Sequence, residues 1–271
     1  MSLDRMAELL ENAEAEAVWG YEHAGSPEAQ EKLGMASTRV GGGVVLSVRN
    51  DVTNYWSKAL GFGFTEPVTA DLVGQITSFY REQGTKVATL QFAPSVLPAD
   101  WDQICKAEGL TAGGSWLKLA RLAGLMETPE TDLRIGVVGV ADAEEWWSVL
   151  LRGFGMADLG LDQMSTGLLE QPGWTAYGAW DGGELVSAAA LLITGQVAGF
   201  AGASTLPTHR RRGAQSALLA ARARQAAADG AKWLSAETGK PSPGEHNPSL
   251  DNMLRAGFEI RYERQNWTWH A

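Results

Sequence analysis

Residues 208–215 read Thr208-His209-Arg210-Arg211-Arg212-Gly213-Ala214-Gln215. They stand between an apolar, strand-like segment and an amphipathic helix whose Ala214, Ala217, Leu218 and Ala221 make one apolar face. The first N–H groups of a helix have no intrahelical partner and lie at the positive end of its dipole. Gly213 carries no Cβ to hold a ligand off the backbone. The arginines are the one run of three basic residues in a chain of formal net charge −10. Together these features can cradle an anion such as a pyrophosphate. A solvated charge cluster at a helix start is the alternative reading, and the segment alone leaves it open.

Other chemistry-bearing residues are more scattered. Glu237 closes a strand-like segment, where its carboxylate is either a general base or an exposed strand end. Asn247 precedes Pro248 with the spacing of a helix cap. The histidines His23, His209, His246 and His270 show no ligand spacing, so no metal site is expected. Gly41-Gly42-Gly43 invites a phosphate-loop reading, but no Lys-Ser or Lys-Thr closes it, and a turn or bulge is expected. Gly136 and Gly139 follow a strand without the third glycine of a dinucleotide fingerprint.

The elements that must position these residues follow a repeated plan. Helical spacing opens the chain behind Ser2, and Ser26-Pro27-Glu28 starts a second helix. A strand is expected at 44–48, a helix at 69–83 ending on Gly84, a strand at 86–92, a helix at 99–108 stopped by Gly109-Leu110, and a strand at 115–121. The C-terminal part repeats this order: strand 197–205, helix 213–229, strand 232–237, helix 249–256 stopped by Gly257-Phe258, and strand 265–270. Before its repeat it adds a strand at 133–140, a helix at 143–154, and a hairpin of 174–180 with 184–193 about Asp181-Gly182-Gly183. The N-terminal part reads as half a domain. A diverged duplication with a boundary near Glu127-Thr128-Pro129-Glu130 accounts for the pattern, dividing the chain into 1–127 and 132–271.

Composition narrows the classes. The chain has 271 residues, 45% of them apolar and 20% charged, which excludes disorder as its main state. Cys105 is the single cysteine, so neither a disulfide framework nor a thiolate zinc cluster is expected. No apolar run reaches the about 18 residues of a membrane span. Met1-Ser2-Leu3-Asp4-Arg5 reads against a secretory leader, and a soluble, cytoplasmic protein is expected. The acidic balance argues against nucleic-acid partners.

Residues 132–271 resemble the GNAT superfamily of N-acyltransferases. Their acetyl-CoA motif, [Q/R]-x-x-G-x-[G/A] at a strand-to-helix junction, finds Arg210, Gly213 and Gln215 at its marked positions, with Gln215 departing from the small residue. The likeness continues through Leu206-Pro207, the strand ending at Glu237, Asn247 and Met253-Leu254-Arg255-Ala256-Gly257-Phe258. It implies an α/β (α+β) fold, a mixed central sheet flanked by helices, in tandem with a smaller, degenerate GNAT-like N-terminal domain. It also implies acetyl-CoA as cosubstrate, held by Thr205, Leu206, Arg210, Arg211, Arg212, Gly213, Ala214, Gln215, Ser216 and Asn247. Acetyl transfer to a small amine-bearing molecule would then use a backbone N–H near Ser204 or Thr205 and Glu237 as base. A homodimer is the assembly expected.

Departures keep a second class open, a CoA-binding module without turnover. Met253 holds the position of the family's usual tyrosine acid, and the strand at 197–205 lacks a carboxylate. Tyr262 lies past the helix, and His246 is a further candidate base. The N-terminal equivalent of the motif, Glu66-Pro67-Val68-Thr69-Ala70-Asp71, has neither arginine nor glycine, so no nucleotide is expected there. Of eleven tryptophans, one or two among Trp146, Trp147, Trp174 and Trp180 are expected in the acceptor pocket.

Overall fold

Helix starts and glycine stops fall where capping chemistry puts them. The computed structural model describes residues 3–127, 129–156 and 159–271. Helix α1 is Leu3–His23, and its expected Ser2 cap lies outside the described residues. Ser26 accepts the Ala29 N–H and Pro27 opens α2, Pro27–Leu33. Strands β1 (Met35–Val40) and β2 (Gly43–Val48) form a hairpin about Gly41 and Gly42, whose φ angles of +56° and +82° only glycine adopts freely. The triple glycine is a turn.

Then come β3 (Lys58–Leu60), α3 (Ala70–Gln83, capped by Thr69), β4 (Val87–Gln91), α4 (Trp101–Glu108) and β5 (Thr111–Leu122). The second part runs β6 (Arg134–Val137), α5 (Ala143–Phe154), β7 (Trp174–Asp181), β8 (Glu184–Thr194), β9 (Val197–Gly199) and β10 (Ala203–Thr205). It ends with α6 (Ala214–Ala228), β11 (Trp233–Gly239), α7 (Pro248–Arg255) and β12 (Glu259–His270). Thr128, in the expected boundary, lies outside the described residues.

The twelve strands of the described residues join one mixed sheet, eleven of them in the order β1-β2-β3-β4-β12-β5-β11-β9-β8-β7-β6, with β10 on β8 beside this path. The last strands are exchanged. β5 pairs with β11 from Trp116↔Gly239 to Leu122↔Trp233, and β12 pairs with β4 from Asn266↔Gln91 to His270↔Val87. Each part of the chain therefore completes the other part's sheet.

Two expectations are corrected. The N-terminal part is more than half a domain: β1, β2 and β3 stand in the order of β7, β8 and β9, and β6 and the short β10 have no counterpart. Its β1 is half-buried and polar and its β3 is three residues long, so neither carries a strong sequence signal. The single strand expected at 197–205 is two short strands separated by a bulge.

Helix α1 packs across β2, β3, β8 and β9, so it covers both parts of the sheet. Its Tyr21 ring meets Trp56 and Trp147 at 5.8 and 5.7 Å. Its inner face also carries charge. Glu14 pairs with Lys118 of β5 and Arg264 of β12, and Glu11 accepts from Arg264 and from Tyr262. Burial works against the charge on Glu14, but Arg264 and Lys118 outweigh it and hold the carboxyl far below its ordinary range.

Candidate functional site

Strands β9 and β11 run parallel from Trp233↔Val197 to Ser235↔Gly199, and the Phe200 N–H still reaches Ser235 O at 2.8 Å. There the pairing ends. The Ala190 N–H is shared between Ala201 O and Gly202 O, at 3.2 and 3.1 Å, and Gly202 takes a φ of +58°. This bulge swings β10 onto β8 and away from β11. A cleft of about 960 Å³ opens between the splayed strands, with α6 and α7 along one side.

Register decides which amides face the opening. Leu206 N–H donates to Val186 O at 2.9 Å, so Ser204, two residues earlier and opposite Ala188, also belongs to the β8 ladder. Its hydroxyl donates to Leu150 O of α5 at 2.9 Å. The expected donor near Ser204 or Thr205 is thus resolved against Ser204. The N–H groups of Ala203 and Thr205 point away from β8, toward the cleft. Leu206 is buried and its amide is used.

At the mouth the chain turns through Arg211, with φ +64°, and Gly213, with φ +81°. No side chain caps α6, and Gly213, Ala214, Gln215 and Ser216 line the cleft. The arginines divide their work. Arg210 lines the cleft but bonds Thr205 O and Gly153 O at 3.3 and 3.1 Å. Arg211 is exposed at the lip in a left-handed conformation that costs a non-glycine residue energy. Arg212 turns away: it bonds Asp181 at 2.6 Å and Asp132 at 2.5 Å, which raises its own pKa and lowers both carboxyls. It does not line the cleft, so its expected ligand role gives way to fastening the loop.

Gly213 also has a reason within the chain. A Cβ there would lie 3.1 Å from Glu130 O, besides the strain of its φ. Gln215, the departure from the family pattern, donates to Ser249 Oγ at 2.9 Å and accepts from Asn252, tying α6 to α7. The Asn247 amide is fully occupied: Oδ1 takes the Ser249 and Leu250 N–H groups, and Nδ2 donates to Thr238 Oγ1 and Gly239 O. It fixes α7 to the end of β11, which replaces the expected ligand contact.

Glu237 faces the cleft from β11, with 21% of its side chain exposed, and lies 3.5 Å from Lys118 Nζ. Burial, reinforced by the charge of Glu14, raises its pKa above the usual carboxylate range, against the pull of Lys118, Arg264 and Lys58. Tyr55 and Trp116 line the same cleft, with Lys58 Nζ 3.4 Å from the Tyr55 ring centre. The expected tryptophans are elsewhere. Trp146 and Trp147 are core residues bonding Tyr177 O and Leu161 O, Trp174 is in the same core, and Trp180 packs beneath Arg134. Met253 does line the cleft, buried among Leu218 and Phe258. The Tyr262 hydroxyl is spent on Glu11, and burial raises its pKa far out of range for an acid. His246 is exposed beside Asp251 and outside the cleft wall.

Sequence reasoning missed Tyr55, Trp116 and Arg222, all on the cleft wall. Arg222 alone left a signal: a cation four residues after Leu218 on the buried face of α6. Among the described residues no cluster of metal-ligating side chains occurs, and no helix is long and apolar enough to cross a membrane.

This architecture is the GNAT N-acetyltransferase fold in a tandem arrangement. A GCN5-related N-acetyltransferase from Kribbella flavida superposes with a TM-score of 0.60 at 20% identity, over 89% of this chain and 93% of that one. A tandem GNAT protein from the clavulanic acid biosynthesis pathway gives 0.57 at 15% identity, over 95% of each chain. A GCN5-related N-acetyltransferase from Sphaerobacter thermophilus gives 0.57 at 12% identity, over 84% of this chain and 80% of that one. No protein-family model matches the sequence, and no curated protein matches it.

Proposed function

We propose that the protein is an acyl-CoA-dependent N-acyltransferase acting on a small amine-bearing molecule. The observation that carries this reading is the splayed β10–β11 cleft, with the uncapped start of α6 at its mouth and Glu237 on its wall. The residues present fit the cosubstrate. The α6 amides, the Gly213 backbone and the Arg211 guanidinium suit its phosphates, with Arg210, Ala214, Gln215 and Ser216 shaping the cradle. The outward amides of Ala203 and Thr205 suit a carbonyl oxygen in the opening.

An acyl-CoA supplies the activated acyl group. Glu237 takes a proton from the acceptor amine, a task for which a raised pKa brings a carboxylate closer to working pH. Tyr55 and Trp116 offer the acceptor an aromatic wall. We also propose the division into 1–127 and 132–271, with the first part binding no nucleotide. At the corresponding helix start Thr69 Oγ1 accepts the Leu72 N–H, so α3 is capped where α6 is open. The reading carries with it acetyl-CoA as donor, the cytoplasm as compartment and a homodimer as assembly.

A second reading, a CoA-binding module without turnover, is favoured by Met253, whose thioether cannot protonate a leaving thiolate. Thiol release from acetyl-CoA across an amine panel, beside calorimetry of CoA binding, separates the two. Turnover on an amine supports the transferase. Binding without turnover supports the module, and no binding sinks both. A stoichiometry of two acyl-CoA molecules per chain would contradict the single cradle.

A further inference from the structure

Arg222 is the buried cation that the proposed chemistry leaves unused. It stands two turns into α6, is 1% exposed, and touches the cleft. Arginine at this depth is normally paired with a carboxylate. Arg264, equally buried, has Glu11 and Glu14. Arg222 forms no ion pair among the described residues. Its Nε donates to Leu218 O at 3.2 Å and its Nη1 to Ala190 O at 3.0 Å, while the guanidinium lies 4.4 Å from the Phe200 ring centre. Among the described residues Nη2 has no hydrogen-bonding partner. Burial lowers the pKa to about 10, so the group remains charged near neutral pH, with carbonyl dipoles and a ring face for compensation.

Its place in the fold says what would complete it. Ala190 is the residue opposite the bulge, and Phe200 is where β9 and β11 part. Arg222 therefore stands behind the narrow end of the cleft. It belongs to the helix whose first turn forms the cradle, about 12 Å further along at 1.5 Å per residue. The faces of the sheet distinguish donor from acceptor. On β11, Ala236 packs into the cluster with Leu218 and Leu219, and Glu237, the next residue, faces the other side. Arg222 thus shares the cradle's face and not that of the proposed base.

We propose that Arg222 selects an acyl donor whose chain ends in a carboxylate, a dicarboxylic monothioester of CoA, in preference to acetyl-CoA. This rests on the acyl-CoA reading above but changes its donor, so the thiol-release assay is run with succinyl-CoA beside acetyl-CoA. The carboxylate would accept from Nη2 and supply the missing counter-charge, and an acetyl methyl would leave both wants unmet.

Calorimetry with CoA, acetyl-CoA and succinyl-CoA tests it. Succinyl-CoA should bind tighter than acetyl-CoA by about ten- to a hundredfold, the scale of a charge-assisted hydrogen bond in a buried site. Arg222→Met should bring succinyl-CoA down to the level of acetyl-CoA. Arg222→Lys, which keeps charge if the methionine variant fails to fold, should retain part of the gap. Equal affinities in the unaltered protein, or a preference that survives Arg222→Met, overturn the inference while leaving the acyl-CoA reading standing. If CoA itself does not bind, the proposed function falls and this inference with it.

Discussion

Lys118 Nζ lies 3.5 Å from the Glu237 carboxylate and bonds Glu14 on its other side. A carboxylate in the cleft is thereby joined to a buried ionic chain that runs through Glu14, Arg264, Glu11 and Tyr262. The members come from α1, β5, β11 and β12, so the charge state of Glu237 depends on both parts of the chain. Lys118 is a positioning residue here, acting through Glu237.

The first expected outcome concerns pH. A base must be deprotonated to work, so activity should fall as pH drops through the Glu237 pKa, on a limb above the ordinary carboxylate range. The groups facing it are Glu14, Lys118, Arg264 and Lys58. Lys118→Met removes an opposing charge and should move that limb to higher pH. Glu237→Gln should lower turnover about 10²–10⁴-fold near neutral pH and by less at higher pH, where free amine is abundant. Near-parent turnover of Glu237→Gln at neutral pH would reject the assignment.

Arg211 and Arg212 are neighbours with opposite expected phenotypes. Arg211→Ala should weaken CoA binding about tenfold, with a reduced salt dependence, because it removes an exposed cation at the lip of the cradle. Arg212→Ala should leave CoA affinity near that of the parent, since its guanidinium is engaged by Asp132 and Asp181. Calorimetry at two salt concentrations reads both. Equal losses would show that the run acts as one patch.

Acid should find the weak point of the buried ionic chain. The Glu14 carboxyl is held below its unfolded value, so its stabilisation is complete above about pH 4.5 and is lost as the pH falls below that. Glu14→Gln should cost about 3–5 kcal/mol in urea unfolding, because Lys118 and Arg264 lose a buried partner. Glu237 has the opposite sign. Its raised pKa means that its ionised form weakens the fold as pH rises, so Glu237→Gln should unfold later than the parent at pH 8. A Glu237→Gln variant that is both inactive and less stable would mark a packing role instead.

Short-range chemistry explains what the sequence made legible. The glycine stops at Gly84 and Gly109 and the Ser26 cap each depend on a few neighbouring residues. The hairpin turns at Gly41 and Gly182 are local in the same sense. The bulge at 200–202 was not legible, because its cause is the competition of Ala201 O and Gly202 O for one N–H on another strand. The pairing of Lys118 and Arg264 with Glu14 and Glu11 was not legible either, because α1 brings those carboxylates from the far end of the chain. Trp116 reaches the cleft on the exchanged strand β5 and Tyr55 from the segment before β3, placements that local periodicity does not encode.

The exchange gives the last expected outcome. Residues 132–271 alone contain α6, β11 and the cradle, but they lack β5. Without it, β11 keeps only its pairing with β9 from Trp233 to Ser235, and β12 loses a partner along most of its length. Unpaired, half-buried edges of this kind invite association with other chains. The loss of α1 would also leave Arg264 with neither Glu11 nor Glu14, an uncompensated buried charge. The segment 132–271 expressed alone should therefore aggregate or lack a cooperative melt. Co-expressed with 1–127, it should form a one-to-one complex with the circular dichroism of the intact chain. Size-exclusion chromatography and thermal melts decide between these outcomes. A monomeric 132–271 with a sharp melt would show that β5 and α1 are dispensable to the cleft, and that its dependence on the N-terminal part is catalytic rather than structural.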